Sequence, residues 1–465
     1  MRPSIGRGQT GMGSGAVMEA LWLQAVSRQG KTVASESRVG QAMPAVHALA
    51  PPPGPIAMPP ASPQMPPPET PGSYDFLMPS AIVFGAGRVG ELGQLAARFG
   101  RTAWLVAGTN GVQSCGGEAG VTRGLEAAGL AVARIATCVG EPTIAAVVAA
   151  VHGLSRKEAH EPVVIAIGGG STIDLAKAIA ALATNVANLA EADEQVVMDH
   201  LEGVGRGLSI VRPPLPVVAV PTTAGTGAEA TRNAVISCPQ RRFKKSMRSP
   251  LMVPRAALVD PALTVSCGRG VTAASGLDAI TQLVESYVCR FRSPLPRALV
   301  RAALPAALEA LSRVFENADD IAARTVMSHA ALVSGIALTN SGLGMAHGVA
   351  AALGIECGTP HGVACAMLLP VAVAVNRSAC RDDFAAIEQA VDPEADADPE
   401  RAADAFVARI GRLCDVAGTP RRLADLGLDR SRLDWLAENS GGASMRGNPV
   451  TLDPAALRPI LERIY

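Results

Sequence analysis

Two glycine- and hydroxyl-rich segments carry the most legible chemistry in this chain. The first, VVIAIGGGSTIDLAK, runs from an apolar stretch into Gly168, Gly169 and Gly170, then Ser171, then a helical pattern holding Asp174 and Lys177. Glycine lets a backbone approach a diphosphate closely, and a helix starting there offers unpaired amide donors at the positive end of its dipole. An ordinary strand-to-helix turn rarely needs three consecutive glycines, and no GK[ST] follows to make a Walker A loop, so a dinucleotide cradle is expected. The second segment, PVVAVPTTAGTGAEAT, places Pro221, Thr222, Thr223, Gly225, Thr226 and Gly227 directly after another apolar run. Hydroxyls and free amides at the carboxyl end of a parallel strand suit a nucleotide's phosphates and ribose. A third segment, FGAGRVG, satisfies GxGxxG with Gly85, Gly87 and Gly90. A dinucleotide fingerprint also wants an acidic residue about 20 positions on. Here the next apolar run, AWLV, ends in Ala107, Gly108, Thr109 and Asn110. A plain turn is expected at these glycines.

The elements that must position these loops follow from the pattern around them. Residues 103–106, 131–138, 163–167 and 216–220 read as apolar strands, with helical patterns over 141–154 and 173–183 between them. Such alternation predicts a parallel sheet covered on both faces. After Pro261 strand signals stop. Segments 271–290, 296–316, 319–336, 345–354, 362–376 and 399–417 show helical spacing in Ala- and Leu-rich sequence. The expectation is an α/β nucleotide-binding domain over 73–255 and an all-helical domain over 256–465, with a ligand cleft between them. Residues 1–72 differ: proline runs at 51–53 and 66–68 follow an acid-poor start, and a disordered tail is expected.

The composition excludes other classes. Lys plus Arg and Asp plus Glu are 41 each, and aromatics are 3%, which argues against nucleic acid and anionic membranes as partners. The apolar run around 363–375 contains Pro370 and is too short to span a bilayer. Nine cysteines with no CxxC pair disfavour a disulfide framework or a thiolate zinc site and fit a reducing cytoplasm.

The ordered motifs GGGSTIDLAK, PTTAGTGAEATRNAVI, LVDPALT, ASGLDAITQLVESYV and HGVAAALGIECGTPHG resemble the iron-containing (group III) alcohol dehydrogenases, from about Tyr74 to the C-terminus. That resemblance implies a dehydroquinate synthase-like fold with a metal in the cleft. It implies that Gly169, Gly170, Ser171 and Asp174 line the pyrophosphate, and that Thr222, Thr223 and Thr226 contact the nucleotide from the other loop. Lys244, or its neighbour Lys245, falls where the family keeps a lysine near the cofactor. Where NAD-preferring members carry an aspartate, this chain has Gly108, with Thr109 and Asn110 able to donate to a 2′-phosphate; NADP is favoured over NAD, or both are used.

The resemblance also implies a metal held by an aspartate and three histidines. Asp278, His347 and His361 match, but the position four residues after the aspartate is Gln282, a neutral and weaker ligand than imidazole. Either Asp278, Gln282, His347 and His361 hold iron or zinc with reduced affinity, or the cluster binds substrate directly. A histidine often given a proton-relay role is replaced by Ala351. Glu356 reads as a surface acid in the loop before His361 rather than a substitute ligand.

The expected reaction is hydride transfer between NAD(P) and a small alcohol or aldehyde, or a hydroxy or keto acid, with His347 and His361 as the catalytic candidates. The rivals are a metal-independent, maleylacetate reductase-like enzyme and a nucleotide-binding protein without catalysis. Relatives imply a homodimer or larger homo-oligomer.

Overall fold

The computed structural model of the protein describes residues 73–154 and 159–465; the expected tail, 1–72, lies outside them. The first half contributes six strands to one sheet: β1 (Ala81–Phe84), β2 (Thr102–Gly108), β3 (Ala131–Cys138), β4 (Pro162–Gly168), β5 (Val217–Pro221) and, after the hairpin strands β6 (Asn233–Cys238) and β7 (Phe243–Arg248), β8 (Ala256–Val259). The sheet order is β1-β8-β5-β4-β2-β3, and every pairing is parallel. Helices of ten residues or more in this half are α1 (Gly117–Ala127), α2 (Ile144–Leu154) and α3 (Gly170–Asn185).

Side chains of a strand alternate between faces, so a sheet covered twice needs apolar residues at every position. Ala103, Leu105, Ala107, Val163, Ile165 and Ile167 pack into one core. Their neighbours Trp104, Val106, Val164 and Ala166 pack into another, with α2 and α3. The chain runs outward from β2 to β3 and then returns to β4 on the far side of β2. This reversal leaves a crevice at the carboxyl ends of β2 and β4, the usual ligand position in an open α/β sheet.

β8 sits between β1 and β5 in the sheet, past the break expected at 255/256. The short run AALV merges into the following LVDPALT segment, which hides it. β6 and β7 were not anticipated either; they form an antiparallel pair apart from the main sheet. Their sequence alternates only weakly because β7 carries Lys244, Lys245 and Arg248.

From Arg269 onward the described chain contains no strand. It builds α4 (Arg269–Val288), α5 (Pro294–Glu316), α6 (Ile321–Asn340), α7 (Met345–Cys357), α8 (His361–Asn376), α9 (Arg381–Val391), α10 (Pro399–Ala417) and α11 (Pro454–Arg463). α6 is long and apolar enough to cross a membrane, yet most of it is buried against its neighbours in the helical core. Buried on most sides, α4 and α6 show little polar face.

Candidate functional site

The two glycine loops end neighbouring strands and touch. Thr222 N–H donates to the Gly168 carbonyl at 3.0 Å, which sets the TTAGTG turn beside the glycine turn. A Cβ on Gly170 would lie 2.4 Å from Thr226 Oγ1, so only glycine permits this closeness. Gly227, at φ 61°, is pressed on the far side against Gly335 of α6, and Gly225 against Ser275 of α4. The threonine loop is thus wedged between sheet and helices.

Lys177 fastens the assembly. It is fully buried on α3, and its ammonium donates to Thr231 Oγ1 at 2.7 Å and the Ala228 carbonyl at 3.0 Å, and pairs with Asp174 at 3.1 Å. Asp174 Oδ2 accepts from the Val235 N–H of β6 at 3.0 Å. Burial raises the Asp174 carboxyl and lowers the Lys177 ammonium, each opposed by the other's charge.

A cavity of about 330 Å³ opens in front of these loops, near the low end for small-molecule sites. Gly170, Ser171, Asp174 and Thr226 line one side, Lys244 lines the hairpin side, and Asp278, Gln282, His347 and His361 line the helical side. On that side His347 Nε2 lies 3.5 Å from Asp278 Oδ1, and His361 Nε2 3.8 Å from the same oxygen. Asp278 Oδ1 and His347 Nε2 are buried without a hydrogen-bond partner. A carboxylate oxygen and a ring nitrogen buried this close together, with a second imidazole beside them, suit a shared positive charge, so these residues fit a metal.

The surrounding carboxylates draw positive charge, whether a proton or a metal ion, into this cluster. Burial opposes charge on Asp278, but the two histidines outweigh it and hold the carboxyl below its ordinary range. Burial also opposes charge on His347, yet the Cys365 sulfur, Asp278 and Glu285 raise it well above 6.5. His361, a third of its side chain open to the cavity, is pushed down to about 4 by the surrounding protein, with Lys244 and His347 adding to the effect. Its ring is therefore neutral and able to ligate.

Known proteins with this architecture decide the family. Residues 79–261 match the family model "Iron-containing alcohol dehydrogenase", and residues 272–465 the C-terminal model of the same family. The chain belongs to the iron-containing alcohol dehydrogenase family. It is 33% identical over 378 residues to the probable alcohol dehydrogenase EutG of Escherichia coli (strain K12), covering 81% of this chain and 91% of that protein. The NAD-dependent methanol dehydrogenase of Bacillus methanolicus is 30% identical, covering 79% and 93%. A solved 1,3-propanediol oxidoreductase superposes with a TM-score of 0.76 at 28% identity, covering 85% of this chain and all of that one. Membership makes the protein an oxidoreductase of the alcohol dehydrogenase type.

The structure gives several of the expected residues partners of their own. Gln282, expected as a ligand, donates from Nε2 to Asp278 Oδ2 at 3.0 Å and accepts from the Ser334 hydroxyl at 2.7 Å. Its carbonyl oxygen thus has one partner already, in a hydroxyl that also faces the Ala331 carbonyl at 2.8 Å. Glu356 is neither a ligand nor a free loop acid. It ends α7, mostly buried, and pairs with Arg432 at 2.8 Å and Arg242 at 3.0 Å; Arg432 above all holds its carboxyl below the usual range. Lys244 pairs with Glu141 across the cavity mouth, whereas Lys245, the next residue of β7, is exposed.

Gly169, Thr222 and Thr223 lie beside the cavity wall without lining it; a Cβ on Gly169 would meet Thr223 Oγ1 at 3.4 Å. Gly108, Thr109 and Asn110 end β2 at the crevice: a Cβ on Gly108 would lie 3.7 Å from Gly168 Cα, and Thr109 Oγ1 donates to the Cys138 carbonyl at 3.3 Å. At the FGAGRVG turn, the Gly87 and Val89 amides both donate to the buried Asp260 carboxylate, at 3.0 and 2.9 Å. A protein carboxylate takes the donors a phosphate would need.

Sequence reasoning missed two residues. Glu285, two helical turns after Asp278 on α4, meets His347 Nδ1 at 2.7 Å and accepts the Ala346 and Gly344 amides at 2.6 and 2.9 Å. It fixes the ring so that Nε2 faces Asp278. Cys365, one turn after His361 on α8, brings its sulfur within 3.6 Å of His361 Nε2. Burial pushes this thiol up to about 12. The spacing ESYV after the GLDAI motif and HGVAC after the PHG turn were visible in the chain, but i+7 and i+4 offsets become meaningful only once the facing helix is known.

Proposed function

We propose that Gly169, Gly170, Ser171, Thr222, Thr223 and Thr226 hold the pyrophosphate and ribose of the dinucleotide, and that Asp278, His347 and His361 hold a divalent metal in the same cavity. The observation that carries this reading is the convergence of the Gly170–Thr226 contact and the orphaned Asp278–His347 pair on one cavity. When bound, the metal acts as a Lewis acid on the substrate oxygen. The nicotinamide supplies the hydride chemistry. The chain orients both. The amides at the start of α3 and Thr226 fix the phosphates, while Lys244, its charge shared with Glu141, borders the cofactor side. Gln282 and Glu285 act as positioning residues: one steers Asp278 Oδ1, the other His347 Nε2, toward the cavity. Ala351, one turn after His347, lines the cavity and offers no proton carrier, so the alcohol proton passes through water, the cofactor ribose or another side chain.

The substrate in this reading is a small alcohol or aldehyde, because Leu338, Leu343, Ala351 and Ala443 wall the space beside the metal cluster. A hydroxy or keto acid is the second reading, favoured by Arg232 and Arg248 at the same cavity. At the β2 end, Gly108 carries no carboxylate to repel a 2′-phosphate, which supports use of NADP beside NAD. All nine cysteines are unpaired, in keeping with a cytoplasmic enzyme, and we propose a homodimer or larger homo-oligomer. Oxidation of NADH and NADPH by the metal-loaded protein, followed at the reduced-nicotinamide absorbance over panels of aldehydes and keto acids, tests this. Turnover of aldehydes is expected. Absence of turnover with every compound and both cofactors would end the proposal.

A further inference from the structure

We propose that Cys365 is the fourth protein ligand of the metal and that its sulfur makes this a zinc centre rather than an iron one. The inference rests on the reading that Asp278, His347 and His361 hold the metal. It begins from Gln282, a neutral and weaker ligand than imidazole, whose amide donates to Asp278 Oδ2 and whose carbonyl oxygen already accepts from Ser334. Asp278 Oδ1 is thereby left alone, facing His347 Nε2 at 3.5 Å, with both atoms buried and unpartnered.

Cys365 enters the same point from another direction. It follows His361 by one turn of α8, so the two side chains project together. One donor atom each from Asp278, His347, His361 and Cys365 lies within 4.8 Å of all the others. Zinc–nitrogen and zinc–sulfur bonds of about 2.0–2.3 Å in tetrahedral geometry place neighbouring ligand atoms roughly 3.3–3.7 Å apart. The distances here are 3.5 Å for His347–Asp278, 3.8 Å for His361–Asp278 and 3.6 Å for Cys365–His361. The remaining pairs lie within 4.8 Å, so movements of about 1 Å close the set.

The donor chemistry points to the metal. A thiolate with two imidazoles and one carboxylate is softer than an aspartate with three histidines, and sulfur favours zinc over iron. As the sulfur–metal bond forms, the thiol proton leaves to solvent. His361 opens on the cavity, so a metal held by these four residues would stay within reach of a substrate there. The bland alternative is a buried thiol that only hydrogen-bonds His361.

Cobalt(II) in place of zinc distinguishes them. The full-length protein reconstituted with cobalt is expected to show visible bands of low-symmetry cobalt together with a near-ultraviolet thiolate-to-cobalt charge-transfer band. C365A should keep its circular dichroism, lose the charge-transfer band, and bind zinc more weakly by at least the about 10–100-fold that loss of an outer-shell partner costs. Metal analysis after growth with equal iron and zinc should return zinc for the wild type. Visible cobalt bands without the charge-transfer band in the wild type, or a band that survives in C365A, would overturn the sulfur ligand while leaving the metal reading intact. No cobalt bound at all would overturn both. Should C365A fail to fold, the wild-type spectrum decides alone, because Cys365 is the one cysteine in this cluster among the described residues.

Discussion

Glu285 shows how much of the site depends on side chains that never touch the reacting atoms. Its carboxylate holds His347 Nδ1 and two amides at the start of α7, so the other ring nitrogen has one direction left. Replacing it by glutamine keeps the volume and removes the charge. Metal affinity of E285Q, measured by competition with a chromophoric chelator, is expected to fall about 10–100-fold, with the circular dichroism unchanged. Wild-type affinity in E285Q would show that Asp278 and the helices alone set the ring.

Glu229 is a different case at the same scale. It is buried in the turn after the threonine loop, and burial raises its carboxyl from 4.5 to about 7. A carboxyl raised in the folded state is protonated there while the unfolded chain already ionises. Its contribution is therefore fully present below about pH 4.5 and is lost as pH rises toward 7. Urea unfolding of wild type and E229Q across this window should show the wild type losing on the order of 3 kcal/mol relative to the variant. A pH-independent difference would contradict the raised value.

At the scale of elements, the contact between the threonine loop and α6 decides whether the cofactor side and the metal side share a cavity. A Cβ on Gly335 would stand 2.1 Å from the Gly227 carbonyl oxygen. Backbone must shift to admit it. G335A is expected to lose about 1–3 kcal/mol of stability, read from the denaturation midpoint, and to raise the KM for dinucleotide more than it lowers kcat, because Thr226 rides on the displaced loop. G170A tests the other face of the same loop: its Cβ would meet Thr226 Oγ1 at 2.4 Å, and weaker cofactor binding is expected, measured by fluorescence titration with NADH. Much of this scale was legible in the chain. The strands β2 to β5 and the long helices announce themselves by apolar runs and helical periodicity, which are local properties. The hairpin β6–β7 does not, because Lys244, Lys245 and Arg248 interrupt its alternation and Lys244 points into the cavity rather than a core.

Across the whole molecule, Lys177 joins the glycine helix, the threonine loop and, through Asp174, the hairpin. Removing one member of a buried ion pair leaves the other uncompensated, so K177M is expected to cost about 3–5 kcal/mol in urea unfolding. K177M combined with D174N should recover part of that loss; no recovery would mean that the hydrogen bonds to Thr231 and Ala228, not the charge pair, hold the three pieces together. The position of Asp174 beside the phosphate loop thus reflects assembly as much as ligand contact.

What the sequence by itself determined is local: three glycines after an apolar strand, a threonine turn after the next, and an Ala- and Leu-rich second half. Each follows from backbone freedom, amide donors or residue periodicity within one short segment. The tertiary structure decided the rest. That Gln282 bonds Asp278 and Ser334, which nitrogen of His347 faces Glu285, and that the sulfur of Cys365 arrives beside Asp278 all depend on how α4, α6, α7 and α8 cross. Those are distances between segments far apart in the chain, and no single segment's composition or spacing contains them.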